Sequence, residues 1–210
     1  MTEIFQVQET SEITDYGQED IIKRDISCNL GSLNIANVMD NKAIRDSVHV
    51  GIEALTNVSD MSDVDNAPSV RKANRELHSV GLGAMNLHGY LAKSGIAYES
   101  EEAKDFVRTF FMMMNYYSLE KSMLIAKERG ETFKGFEKSE YANGNYFTRY
   151  LEEDFSPKSD KVKSLFEGME IPGAAEWEYL KEQVMANGIY NALTLAPFYR
   201  KVDRKMDLIA

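Results

Sequence analysis

Asp25-Ile26-Ser27-Cys28-Asn29-Leu30-Gly31-Ser32-Leu33-Asn34-Ile35-Ala36 holds the only cysteine of this 210-residue chain. Ile26, Cys28 and Leu30 alternate with Ser27 and Asn29, which is the period of a β-strand. Gly31 then allows a turn or a close backbone approach. A single thiol on a strand has two readings. It is a small buried apolar residue, as cysteines often are, or it is a redox or nucleophilic thiol, which needs partners close by.

Working outward, composition sets the class. Apolar residues make up 43% and charged residues 28% of the chain, an ordinary globular composition. At this length a single domain with a real core is the default. The net charge of −10 disfavours a nucleic-acid backbone, which needs clustered Lys and Arg, and equally an anionic membrane surface. No run is long and apolar enough for a membrane span, and no basic-then-apolar leader opens the chain, so a cytoplasmic location is expected. One cysteine excludes an internal disulfide. His49, His78 and His88 lie on separate segments without ligand spacing, so no metal is expected.

Residues 1–10 read as a short strand with Ile4, Phe5 and Val7, and residues 11–21 as a polar turn. If the first strand joins the Cys28 strand in one sheet, Glu3 and Cys28 face one cleft. Asp40 is expected to cap a helix running to about Val58, with Ile44, Val48, Ile52 and Leu55 on its apolar face. Pro68 opens another helix. The glycines of 79–86 mark a tight helix start or a packing point, and a helix over Asn86–Ser94 stops at Gly95. The longest helix runs from Glu101 to Arg129, capped by Ser100 and closed by Gly130. Its stripe of Phe106, Phe110, Met113 and Tyr117 reads as core, and so does the Tyr116-Tyr117 pair. Short helices flank the Asn143-Gly144 turn; Pro157, Gly168 and Pro172 mark surface loops. A last helix spans about Ala174–Ala186 with Trp177, Leu180 and Val184 inward, and Ala192–Ala196 reads as a brief strand.

Two motifs carry more than local structure. Cys28-Asn29-Leu30-Gly31-Ser32-Leu33-Asn34-Ile35-Ala36, preceded by Thr2-Glu3-Ile4-Phe5-Gln6, is one. Arg75-Glu76-Leu77-His78-Ser79-Val80-Gly81-Leu82-Gly83-Ala84-Met85-Asn86, continuing into Leu87-His88-Gly89-Tyr90, is the other. Together they resemble the large subunit of class I ribonucleotide reductase, most closely its class Ib form, from residue 1 to about Pro197. The resemblance implies an α/β, helix-rich fold that is part of a ten-stranded α/β barrel. It divides the chain into a barrel fragment, 1–197, and a divergent tail, 198–210. In that tail Arg200, Lys201, Arg204 and Lys205 read as solvated rather than as phosphate contacts.

The resemblance also implies chemistry. The family reduces ribonucleoside diphosphates to deoxyribonucleoside diphosphates. A cysteine becomes a thiyl radical, a nearby glutamate acts as general base, and two further cysteines supply electrons and become a disulfide. Glu3 falls on the general base, Cys28 on the second redox cysteine, and Met1 where the radical cysteine belongs. Methionine has no S–H and cannot host the radical. The first redox cysteine and the diphosphate-binding turn have no counterpart here. The implied partners are the remaining large-subunit pieces, a small subunit bearing a dimetal-radical centre, the diphosphate substrate and a thioredoxin- or glutaredoxin-like reductant. No cofactor is expected on this chain itself. Expected, then, is an internal fragment of an interrupted gene, inactive alone and poorly soluble as a monomer because strand edges and helix faces are left uncovered. The competing readings are a non-catalytic remnant of the same ancestry and an unrelated helical binding module.

Overall fold

The computed structural model describes residues 24–25, 27–62 and 64–193. Within them the chain is helix-rich α/β. Strand β1 (Asn29–Asn34) leads directly into α1 (Ile35–Asp40), followed by α2 (Ile44–Met61) and α3 (Pro68–Leu77). Strand β2 (Val80–Met85) comes next, then α4 (Leu87–Lys93) and the long α5 (Glu101–Arg129). Single 3-10 turns at Phe136–Lys138 and Asn145–Phe147 precede α6 (Thr148–Glu152), α7 (Asp160–Leu165) and α8 (Ala174–Asn187).

The two strands pair in parallel, from Asn29 opposite Val80 to Asn34 opposite Met85. A parallel bridge joins Val80 to Leu193 on the other side of β2, supported by Val80 N–H donating to the Ala192 carbonyl at 3.2 Å. Of the strand expected at Ala192–Ala196 only this bridge is seen; residues 194–210, with the tail, lie outside the described residues.

One face of the sheet is core. Asn29, Gly31 and Leu33 share it with Val80, Leu82 and Ala84. Helix α2 lies across this face, and Gly51 is the point of closest approach: a methyl there would sit 3.2 Å from the Leu82 side chain. Ile44, Val48, Ile52 and Leu55 form the buried stripe of α2, as its sequence spacing predicts. Helix α5 packs on α2 and is buried along most of its length, from Ala103 to Ala126. Ser100 Oγ accepts from Ala103 N–H at its start, and Gly130 closes it with φ 67°. Both ends fall where the sequence places them. Trp177 of α8 fits against α5 and α6, stacked on Tyr150 at 4.0 Å and edge-on to Tyr116 at 5.0 Å.

Several expectations are corrected. Asp40 does not start a helix; it ends α1 and pairs with Lys93 at 2.7 Å. Helix α2 begins after Ala43 with no side-chain cap. The glycine-rich run 80–85 is a strand, because its glycines are tolerated opposite Leu30 and Ser32 of β1. Helix α7, capped by Ser159, was not foreseen. Pro157 and Pro172 lie in loops, but both are buried rather than at the surface.

Candidate functional site

Cys28 immediately precedes β1 and is half-buried. Its Sγ lies 3.9 Å from the Asn29 carbonyl, a weak thiol contact. Residues on the Cys28 side of the strand alternate away from the core. Leu30 is 75% exposed and Met85 51% exposed, large values for apolar side chains. Between them β2 contributes Gly81 and Gly83, opposite Leu30 and Ser32. A methyl on Gly83 would lie 3.4 Å from Ser32 Oγ, so glycine keeps that stretch of backbone bare. The result is a side-chain-poor floor, buried at Gly81 and open around Leu30 and Met85, with Cys28 at one end and an apolar leucine beside it. Gly31, flagged by its sequence as a turn or close approach, is neither; it sits in regular strand, at ordinary 3.5 Å contact distance from Leu55.

The other end of this floor is the carboxyl end of both strands, where α/β sheets usually bind ligands. Asn34 ends β1, and its Oδ1 accepts from Asn37 N–H at 3.4 Å and from Asn86 Nδ2 at 3.3 Å. Asn86 holds a left-handed backbone, φ 67°. Its side chain occupies the space a methyl on Gly89 would need, 2.2 Å from that position.

The segment carrying Cys28 is tied to α3. Asp25 N–H donates to the Ser69 carbonyl at 3.3 Å, and Ser69 Oγ donates back to Asp25 Oδ2 at 2.6 Å. Beyond the thiol, Asn29 N–H donates to the Ser79 carbonyl at 3.0 Å and Asn29 Nδ2 to Asn74 Oδ1 at 3.3 Å. Glu3 and Met1 lie outside the described residues, so the expected meeting of Glu3 with Cys28 is not among the contacts seen.

Other polar clusters stand apart from this floor. His78, left-handed at φ 44°, stacks on Tyr190 with centroids 4.1 Å apart, and its Nδ1 is 3.4 Å from Asp60 Oδ1. Arg129 pairs with Asp60 at 2.6 Å and covers the Tyr190 ring. Burial holds the His78 pKa below the ordinary value, against the opposing pull of Asp60. His49 Nε2 meets Glu120 Oε2 at 2.8 Å, with Arg45 on the same carboxylate at 3.3 Å. Burial opposes ionisation of Glu120, but the His49 hydrogen bond and the Arg45 charge outweigh it and hold the carboxyl below its usual range. His88 packs by Tyr98. Among the described residues no three His, Cys, Asp or Glu side chains converge as a metal site. Tyr116 and Tyr117 are edge-on at 5.3 Å within the core; burial raises both phenols, Tyr117 to about 12. They pack, as expected, rather than line the floor.

No helix among the described residues is long and apolar enough to cross a membrane. Sequence reasoning singled out Cys28 but missed Leu30, Gly81 and Gly83 as one surface. The available signal was the period-two alternation of both runs, with glycines in register on the same side.

Comparison with known proteins completes the site. Residues 2–198 match the family described as the ribonucleotide reductase barrel domain. The chain is 54% identical over 198 residues to the ribonucleoside-diphosphate reductase subunit alpha of Bacillus subtilis, covering 93% of this chain and 28% of that protein. It is 51% identical over 191 residues to the NrdEB subunit alpha of Bacillus phage SPbeta, covering 91% of this chain and 18% of that one. The subunit alpha of Mycoplasma pneumoniae is 44% identical over 181 residues, 83% of this chain and 25% of the relative. The chain thus spans less than a third of the length of these relatives, and with its match running through both strands and every helix described above, it belongs to the ribonucleotide reductase barrel-domain family.

Proposed function

We propose that this chain is a section of a ribonucleoside-diphosphate reductase large subunit and supplies one of the two thiols that reduce the substrate. The observation that carries this reading is Cys28 at the end of the glycine-floored sheet face that exposes Leu30 and Met85, in a chain 54% identical to a reductase alpha subunit. Oxidation of two thiols to a disulfide delivers two electrons and two protons. These convert the 2′-hydroxyl carbon of the ribose to a methylene and release the oxygen as water. The second thiol comes from another segment and must approach Cys28 with alpha carbons within about 7 Å. A thioredoxin- or glutaredoxin-like dithiol then restores both by exchange.

Glu3 is assigned the general base, and Met1 occupies the radical-cysteine position without its function. The two strands and the bridge at Leu193 belong to a ten-stranded barrel of which residues 1–197 supply only a part, with 198–210 as a divergent tail. The small subunit with its dimetal-radical centre, the missing large-subunit segments and the diphosphate substrate are its partners, in the cytoplasm; the chain itself binds no cofactor or nucleic acid. The test is ribonucleoside diphosphate reduction by the chain alone and mixed with the remaining large-subunit segments, small subunit and a dithiol protein. Turnover only in the mixture, abolished by Cys28→Ser, is expected. Absence of turnover with every component folded identifies a non-catalytic remnant instead.

A further inference from the structure

The geometry points to α3 as the element that sets the position of the Cys28 thiol, with Ser69 and Asn74 as its positioning residues. This rests on the redox assignment of Cys28. The thiol-bearing segment runs past the whole of α3 and is fastened on both sides of the cysteine. Three residues before it, Asp25 and Ser69 exchange two hydrogen bonds, at 3.3 Å backbone to backbone and 2.6 Å hydroxyl to carboxylate. The second is a short, charge-assisted bond, among the stronger kinds. Ser69 is 6% exposed, at the first turn of α3. One residue after the cysteine, Asn29 is held by Ser79 and Asn74. Asn74 is itself immobilised: its Oδ1 accepts from Ser59 Oγ at 2.8 Å and its Nδ2 donates to the Ser59 carbonyl at 2.5 Å, tying α3 to α2. At 4% exposure the Asn74 amide leaves no room for water to replace these bonds.

This doubly anchored arrangement goes beyond what strand formation needs. Strand β1 begins only at Asn29, so Cys28 sits where pairing ends and the backbone would otherwise fray. A thiol that must meet a second thiol within disulfide range, then release it to a reductant, requires a fixed backbone with an accessible sulfur. Ser69 and Asn74 hold the residues on either side of the cysteine, Asp25 and Asn29.

Because Cys28 is the only cysteine, its reactivity with a chromogenic aromatic disulfide reports on this segment alone. Ser69→Ala and Asn74→Ala are expected to raise that rate by roughly tenfold, because a loosened backbone exposes the sulfur more often. Ser69→Thr, which keeps the hydroxyl, retains the parental rate. Ser122→Ala, in a separate buried network, lowers stability yet leaves the rate unchanged. A parental rate in folded Ser69→Ala and Asn74→Ala overturns the proposal. If either alanine variant fails to fold, Asp25→Asn, which weakens the acceptor of Ser69 at constant size, decides on the same readout. The assay needs no turnover, so it separates the two ideas. Altered thiol reactivity alongside undiminished reduction by Cys28→Ser refutes the redox role and not the anchoring.

Discussion

Replacing Asn191 with leucine tests whether the segment leading to the Leu193 bridge is locked to the rest of the chain. Asn191 is fully buried. Its Oδ1 accepts from Ser122 Oγ of α5 at 3.0 Å, and its Nδ2 donates to the His78 carbonyl at 3.0 Å and to Thr56 Oγ1 of α2 at 3.1 Å. Leucine fills a similar volume but makes none of these bonds. Thr56 keeps its bond to the Ile52 carbonyl at 2.8 Å, and Ser122 Oγ still accepts from the backbone N–H of residue 191 at 2.9 Å, so what is lost is the acceptor of the Ser122 O–H and the side-chain donor to the His78 carbonyl. Each buried polar group left unpaired costs about 1–3 kcal/mol, and apolar burial of the leucine returns part of it, for a net loss of about 2–4 kcal/mol. Against a total stability of about 5–15 kcal/mol this is a large change. Urea unfolding should show the midpoint falling by about 1–2 M. Hydrogen exchange at the Val80 and Ala192 amides, which bond to Ala192 and Leu77, should accelerate in parallel. A loss below about 0.5 kcal/mol, or unchanged exchange at those two amides, refutes the idea that Asn191 joins α2, α5 and the segment at the Leu193 bridge.

Gly188→Ala should destabilise by about 1–3 kcal/mol in the same assay, because φ 74° with ψ −171° is a region that only glycine occupies readily and the new methyl would meet Thr132; an unchanged midpoint would contradict that backbone. His78 carries an acid sensitivity. With its folded pKa held below the ordinary 6.5 by burial, the unfolded chain binds that proton more readily. Its contribution is therefore complete above about pH 6.5 and declines as pH falls toward the folded value, with Asp60 and Glu131 opposing the shift and Arg129 reinforcing it. His78→Gln should flatten that slope between neutral and mildly acid pH, and parallel slopes for both proteins would rule the assignment out. Tyr117 works at the other extreme: with its phenol raised to about 12, stability should fall as pH rises from about 10 toward that value. Tyr117→Phe should lose this component, as followed by phenolate absorbance and unfolding at alkaline pH.

The elements readable from sequence are those with strong punctuation. Ser100 and Gly130 bound α5, Pro68 starts α3, and Trp177, Leu180 and Val184 mark the inner face of α8; local chemistry alone defines each. Strand β2 was hidden because Val80–Met85 contains two glycines, which weaken any strand propensity, and its pairing partner is remote in sequence. Asp40 misled because an aspartate before an apolar periodicity looks like a cap, while the residues before it form a helix just long enough to turn the chain. The buried prolines were misread because composition marks a loop without telling what covers it. Cys28 was legible as a candidate from its uniqueness and its surrounding motif. The α3 anchor was not, since Ser69 and Asn74 look like ordinary polar residues until the chain folds back on Asp25 and Asn29.

Val80 is the meeting point of the sheet: it pairs backward with Asn29 and forward with Leu193. Both pairings are distant along the chain, so this centre closes late and its closure entropy must be met by helices already formed. During synthesis the α5 stripe and the core face of β2 emerge well before Ala192 and Leu193 can cover the second edge of that strand. The newly made chain is consequently most prone to mispairing in that interval, and a ribosome pause after α8 would prolong the exposure of an open parallel edge.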